Sequence, residues 1–157
     1  MSEVTVRVAH DDAAGIAAVR LLLQAYGRWR GHDAALGDFQ QELESLPGEY
    51  GAPGGCLLLA ETPNGPAGCI AFRRLDTETC EMKRMWVLPD HQRRGIARKM
   101  ASQLLIEAAR AGYGRMVLDT HPRMVEAQQL YRQLGFTEIA RYNANPTPGI
   151  RFFARAL

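Results

Sequence analysis

The hydrophobic positions change period along the chain, and each change marks an element. Val4, Val6 and Val8 alternate with Thr5 and Arg7, the period of a strand with one buried face. Asp11 or Asp12 then stands where a helix needs an N-cap. Ile16, Val19, Leu22 and Leu23 fall on one face of a helix reaching about Gly27. Gly31 and Gly37 interrupt. From Asp38 a second helical piece carries Phe39, Leu43 and Leu46 until Pro47-Gly48 stops it. Gly48 to Gly55 reads as a loop, and Cys56 to Ala60 as a short apolar strand. Asn64-Gly65 is a two-residue turn, Ala67 to Leu75 the partner strand, Asp76 to Thr79 another turn, and Cys80 to Val87 a fourth strand. Helical spacing returns from Arg98 to Ala111, through Met100, Leu104, Leu105, Ala108 and Ala109, with Gly112 as the C-cap. Arg115 to Asp119 predicts a fifth strand. Pro122 to Leu134 predicts a helix with Val125, Ala127, Leu130 and Leu134 on its apolar face. Thr137 to Ala140 and Ile150 to Ala154 predict the last two strands, joined by an irregular loop from Asn143 to Gly149. Strands interleaved with helices give an α/β (α+β) domain with a mixed sheet.

Composition narrows this picture little. The 157 residues are 46% hydrophobic and 23% charged, enough for one globular core with no linker dividing it. A net charge of +2 gives no bulk attraction for nucleic acid. The amino terminus lacks a basic flank followed by an apolar core, and no run reaches bilayer length. The expectation is a cytoplasmic protein that engages neither nucleic acid nor membrane. Cys56, Cys69 and Cys80 are odd in number and lie in or beside strand-like runs. They read as free buried thiols, with neither a disulfide framework nor a metal-ligand spacing.

Charge matters locally. Lys83, Arg84, Arg93, Arg94, Arg98 and Lys99 crowd one stretch, around Gln92-Arg93-Arg94-Gly95-Ile96-Ala97. That turn leaves a strand and opens a helix. The first backbone N–H groups of a helix have no partner within it, and the helix dipole adds positive charge there, so an anion such as a phosphate is the natural guest. Gly95 allows a ligand close approach, and Ala97 is nearly as small. Alone, the pattern also fits an ordinary strand–helix connection with a solvated face.

Further blocks follow at workable spacing: Met116-Val117-Leu118-Asp119, then Leu130-Tyr131-Arg132-Gln133-Leu134-Gly135-Phe136. With the basic turn, the stretch from about Cys80 to Ile139 resembles the GNAT family of N-acetyltransferases. Upstream the match is one of element order. The resemblance implies a single N-acetyltransferase domain over residues 1–157, with a mostly antiparallel sheet of about seven strands flanked by four helices. It implies acetyl-CoA as co-substrate, no metal, and direct acetyl transfer to a primary amine of a small molecule or protein. Homodimers are common in the family. The alternative is a catalytically inactive module that binds acyl-CoA and regulates a partner. A phosphotransferase is disfavoured by the absence of a phosphate-loop motif and an acidic metal pair.

The resemblance also assigns residues. The backbone from Arg93 through Arg94, Gly95, Ile96, Ala97 and Arg98 would cradle the diphosphate, and Met85, Trp86 and Val87 would pair with the pantetheine arm. Tyr131, four residues before Gly135, matches the family's tyrosine. It is the candidate acid for the leaving thiolate, because a phenol stays protonated at neutral pH. Glu81, eleven residues before Gln92, sits where one branch carries its general base, and a structural ion pair explains it equally well. His121 is an alternative base, Glu126 and Asp119 lesser ones. Met124 departs from the family, where an asparagine seven residues before the tyrosine commonly contacts the cofactor. Tyr26, Trp29, Phe39 and Tyr50 either pack the first helices or touch the acceptor. Asp33, Asp38, Glu42, Glu44 and Glu49 either hold a cationic amine or face water.

Overall fold

The computed structural model describes residues 3–31 and 38–157. The expectations at Asp33 and Gly37 lie outside these. Seven strands form one sheet: β1 Thr5–Val8, β2 Cys56–Thr62, β3 Gly65–Arg74, β4 Thr79–Val87, β5 Arg115–Thr120, β6 Thr137–Ile139 and β7 Arg151–Ala156, in the order β1-β2-β3-β4-β5-β7-β6. Every neighbouring pair is antiparallel except β4 with β5. Four α-helices accompany it: α1 Ala13–Arg30, α2 Phe39–Glu44, α3 Ile96–Arg110 and α4 Val125–Gln133.

Alternation along the central strands explains the two-sided core. Cys56, Leu58, Ala60, Ile70 and Phe72 pack on one side with Met100 and Leu104 of α3. Leu57, Leu59, Cys69 and Ala71 pack on the other with Val19, Leu23 and Tyr26 of α1. A strand buried on both faces reads as an unbroken apolar run, which is what Cys56 to Ala60 is.

Several boundaries differ from the sequence expectation, and three of them have a plain physical reason. Gly27 does not end α1. A Cβ there would meet the Phe39 ring at 3.0 Å, so the glycine lies inside the helix and lets α2 pack close. The helix stops at Gly31, whose φ is 70°. α3 opens at Ile96, behind Gly95 in the left-handed region with φ 79°. α4 starts at Val125 rather than Pro122 and buries Gln128 and Tyr131, leaving Val125 56% exposed. Of its apolar stripe, Val125, Ala127 and Leu130 line a cleft, while Ala127 and Leu134 also pack against the core. Asp12 does cap α1, accepting from Ala14 N–H at 3.3 Å and Gly15 N–H at 3.1 Å.

Two irregularities in β4 create that cleft. Its parallel pairing with β5 covers only Thr79–Arg115, Cys80–Met116 and Glu81–Val117, although both strands continue. On the β3 side the register jumps from Ala71–Lys83 to Cys69–Trp86, so Arg84 and Met85 together oppose Ile70. Arg84 has φ 61° at this bulge. Bulges bend and twist a strand, and here β4 leaves β5. Among the described residues no helix is long and apolar enough to cross a membrane.

Candidate active site

The parted strands and the starts of α3 and α4 enclose a cleft of about 510 Å³. Met85, Trp86 and Val87 form one wall, on the part of β4 that has no ladder partner in β5. Gly95, Ile96, Ala97 and Arg98 form the mouth. The bond from Lys99 N–H to Gly95 O, 3.1 Å, begins the α3 ladder, and no side chain caps the helix. The amides of Ile96, Ala97 and Arg98 therefore precede any helical acceptor. The space where a Gly95 Cβ would stand is open within 4 Å. Gln92 closes the turn, its Nε2 donating to Val87 O at 3.0 Å. His91 Nδ1 is buried in the same wall with no hydrogen-bond partner among the described residues.

The basic side chains contribute unevenly. Arg93 lines the cleft and pairs with Glu126 across its mouth at 3.2 Å, both largely exposed. Arg98 lines it while donating to Gln133. Arg94 is exposed and does not line it.

Met85 and Met124 separate this cleft from a second cavity of about 60 Å³, lined among others by Tyr26, Lys83, Asp119, His121, Tyr131 and Asn145. Tyr131 is 4% exposed, and its Oη donates to Met85 Sδ at 4.0 Å. Burial pushes this phenol well above its usual range, so it stays protonated. The candidate acid therefore lies directly behind the strand segment expected to hold the cofactor arm.

Glu81 is placed elsewhere. It is fully buried and lines neither cavity. Its Oε1 accepts from Arg73 Nε at 2.9 Å, and its Oε2 accepts from the Tyr142 hydroxyl. The ion-pair reading of Glu81 is the arrangement the structure adopts, with Arg73 rather than Lys83 or Arg84 as the cation. His121 lines the small cavity, and its Nδ1 accepts from Arg123 N–H at 3.0 Å. Asp119 Oδ2 accepts from Asn143 Nδ2 at 2.8 Å and Asn145 Nδ2 at 3.2 Å, which tethers the β6–β7 loop.

The two candidate acceptor groups also resolve. Tyr26 meets the Trp86 indole edge-on and Trp29 meets it tilted, each at 5.5 Å; Tyr26 packs in the core and lines the small cavity, while Trp29 is 39% exposed and lines the cleft. Glu42 is taken by Arg84 in a bidentate pair at 2.7 and 2.9 Å, and Glu49 by Arg73 at 2.8 Å. Neither is left to attract an amine. Tyr142, Arg73 and His91 carried no motif; only the fold brings Tyr142 and Arg73 together at Glu81 and sets His91 in the cleft wall.

Residues 16–136 match the model of the Acetyltransferase (GNAT) family. An uncharacterized N-acetyltransferase of Schizosaccharomyces pombe is 31% identical over 133 residues, covering 83% of this chain and 82% of its own. The chain belongs to the GNAT family, and it is an N-acetyltransferase of that family. The crystal structure of an acetyltransferase from Streptococcus agalactiae has the same fold, with a TM-score of 0.81 at 18% identity over 98% of each chain. So does a Salmonella typhimurium protein solved with its cofactor acetyl-CoA, with a TM-score of 0.73 at 23% identity over 99% of this chain and 94% of that one.

Proposed function

We propose that this chain moves an acetyl group from acetyl-CoA directly to a primary amine held in the same complex. The observation that carries the reading is the early end of the β4–β5 ladder at Glu81–Val117. It leaves Met85–Val87 free to pair with an extended arm beside the α3 amides. Acetyl-CoA supplies the activated thioester. The amides of Ile96, Ala97 and Arg98 hold its diphosphate, with the orphan His91 Nδ1 as a further partner in the same wall. The backbone of Met85, Trp86 and Val87 aligns the arm. Holding both reactants at one place turns a bimolecular step into a local one.

As the amine nitrogen bonds the acetyl carbon and the carbon–sulfur bond breaks, Tyr131 Oη donates its proton to the departing sulfur. The amine proton leaves to solvent in the cleft. Glu81 and His121 fit the base role less well, since the Glu81 carboxylate is closed off by Arg73 and Tyr142 and His121 Nδ1 already accepts a backbone N–H. Glu81 is proposed instead as a positioning residue behind the site.

The test is calorimetry with CoA, followed by an acetyl-CoA consumption screen across amines. CoA is expected to bind, and at least one amine to release free thiol. Tyr131→Phe is expected to lower kcat by about 100-fold with CoA affinity unchanged. No heat on CoA titration overturns the reading, and full turnover by Tyr131→Phe overturns the acid assignment.

A further inference from the structure

We infer that the acceptor is a small amine carrying its own carboxylate close to the amino group, and that Lys83 in the cavity beside Tyr131 recognises that carboxylate. This rests on the acetyl-transfer reading above and names its acceptor class.

The argument starts from charge balance along β4. Lys83 and Arg84 are neighbours at the bulge. Arg84 is neutralised by both oxygens of Glu42. Arg73, across the β3–β4 ladder, is neutralised by Glu81 and Glu49. Lys83 is the exception. Among the described residues, its Nζ makes neither a hydrogen bond nor an ion pair, although the side chain is only partly exposed and lines the small cavity.

The carboxylates that act on Lys83 are already engaged. Glu81 serves Arg73 and Tyr142, Asp119 serves Asn143 and Asn145, and Glu42 serves Arg84. A partly desolvated cation without a close counter-charge is costly unless an anion arrives. Burial, together with the like charge of Arg84, pushes the Lys83 ammonium below its usual range, as a missing close counter-anion would require.

Position and size fix the class. Lys83 and Tyr131 line the same cavity of about 60 Å³, which admits only a few heavy atoms. An anion bound at Lys83 therefore lies within a few bonds of the amine presented to the thioester beside Tyr131. An amino acid meets that requirement. A polyamine or a peptide lysine does not, because it brings no anion to the unpaired Lys83 ammonium that lines the cavity.

The test uses the CoA-binding protein and matched sets of acceptors: amino acids, their carboxamides and their decarboxylated amines. Acetyl-CoA consumption gives kcat/KM for each, and calorimetry gives CoA affinity. The carboxylate-bearing members are expected to be better by roughly 10- to 100-fold. Lys83→Met is expected to remove that preference through KM while CoA affinity stays at the wild-type value, and Lys83→Arg to restore part of it. Equal or better turnover of the neutral amines overturns the inference. So does a preference that survives Lys83→Met, or a CoA-binding protein that turns over no member of any set. Absence of CoA binding would instead sink the acetyl-transfer reading itself.

Discussion

Arg84 occupies the left-handed backbone region at φ 61°, which costs a non-glycine residue on the order of 1 kcal/mol. What holds it there is visible in its side chain. The guanidinium is 11% exposed, bonds both oxygens of Glu42 on α2, and lies over the Phe39 ring at 5.0 Å. Burial alone would raise the Glu42 carboxyl, but the Arg84 guanidinium, helped by the Tyr50 hydroxyl and the Lys83 charge, holds it below its usual range. A carboxyl lowered in the folded state contributes stability that is fully present above its unfolded value. That stability is lost as pH falls through the lowered folded value. Glu42→Gln is therefore expected to cost roughly 3 kcal/mol in urea unfolding at about pH 7, because it strands a buried guanidinium. The gap from wild type should narrow at about pH 3. A pH-independent gap would show that the pair is not the source.

At the scale of elements, the loop before β2 does more than connect. Gly55 is buried, and a Cβ there would stand 2.2 Å from Glu49 O and 2.7 Å from Tyr50 Cα. Those are backbone atoms of the Gly48–Tyr50 3-10 turn, so no side-chain rotation relieves the clash. Gly55→Ala should destabilise the fold by about 2–3 kcal/mol, read from the denaturation midpoint. A loss under about 0.5 kcal/mol would mean that the turn yields. This element also shows where sequence reading stops. Gly48 to Gly55 is legible as a loop from composition, but the way its backbone folds Gly55 back onto Glu49 and Tyr50 depends on dihedral angles that composition does not encode. The α4 stripe is the converse. Val125 and Leu130 read as core beside Ala127 and Leu134 because all four are apolar at helical spacing, and periodicity cannot tell a core from a ligand cleft. The run of seven strands and four helices and the helix that opens beside Gly95 were readable, because each rests on local pattern; the order of the strands in the sheet was not. The fate of Glu81 was not. Its partners Arg73 and Tyr142 come from β3 and from the segment after β6, and a carboxylate's neighbours across a sheet are set by register.

For the whole molecule, the sheet is covered on both sides, and the three cysteines lie inside it. Cys69 is wholly buried, Cys80 equally so, and Cys56 is 3% exposed. Burial pushes each thiol up to about 12. The thiolate is the reactive form, so none is poised to carry an acetyl group covalently. A thiol-directed alkylating reagent at neutral pH should modify none of the three in the native protein and all three in denaturant, as counted by intact mass. Rapid labelling of one site in the native state would reveal a reactive thiol and reopen a covalent route.

The doubled residue at Arg84–Met85 has one more effect. Before it, even-numbered side chains of β4, Cys80 and Met82, pack towards α3. After it, the odd-numbered Met85 and Val87 do so, and Trp86 joins the α1 side. The strand changes parity midway. Deleting a single residue there would restore a regular ladder and swap the two sides for everything up to Val87, sending the indole away from Tyr26 and Trp29. Chain length at this point is thus a stricter requirement than residue type. A one-residue deletion should be more damaging than any single substitution at the same place.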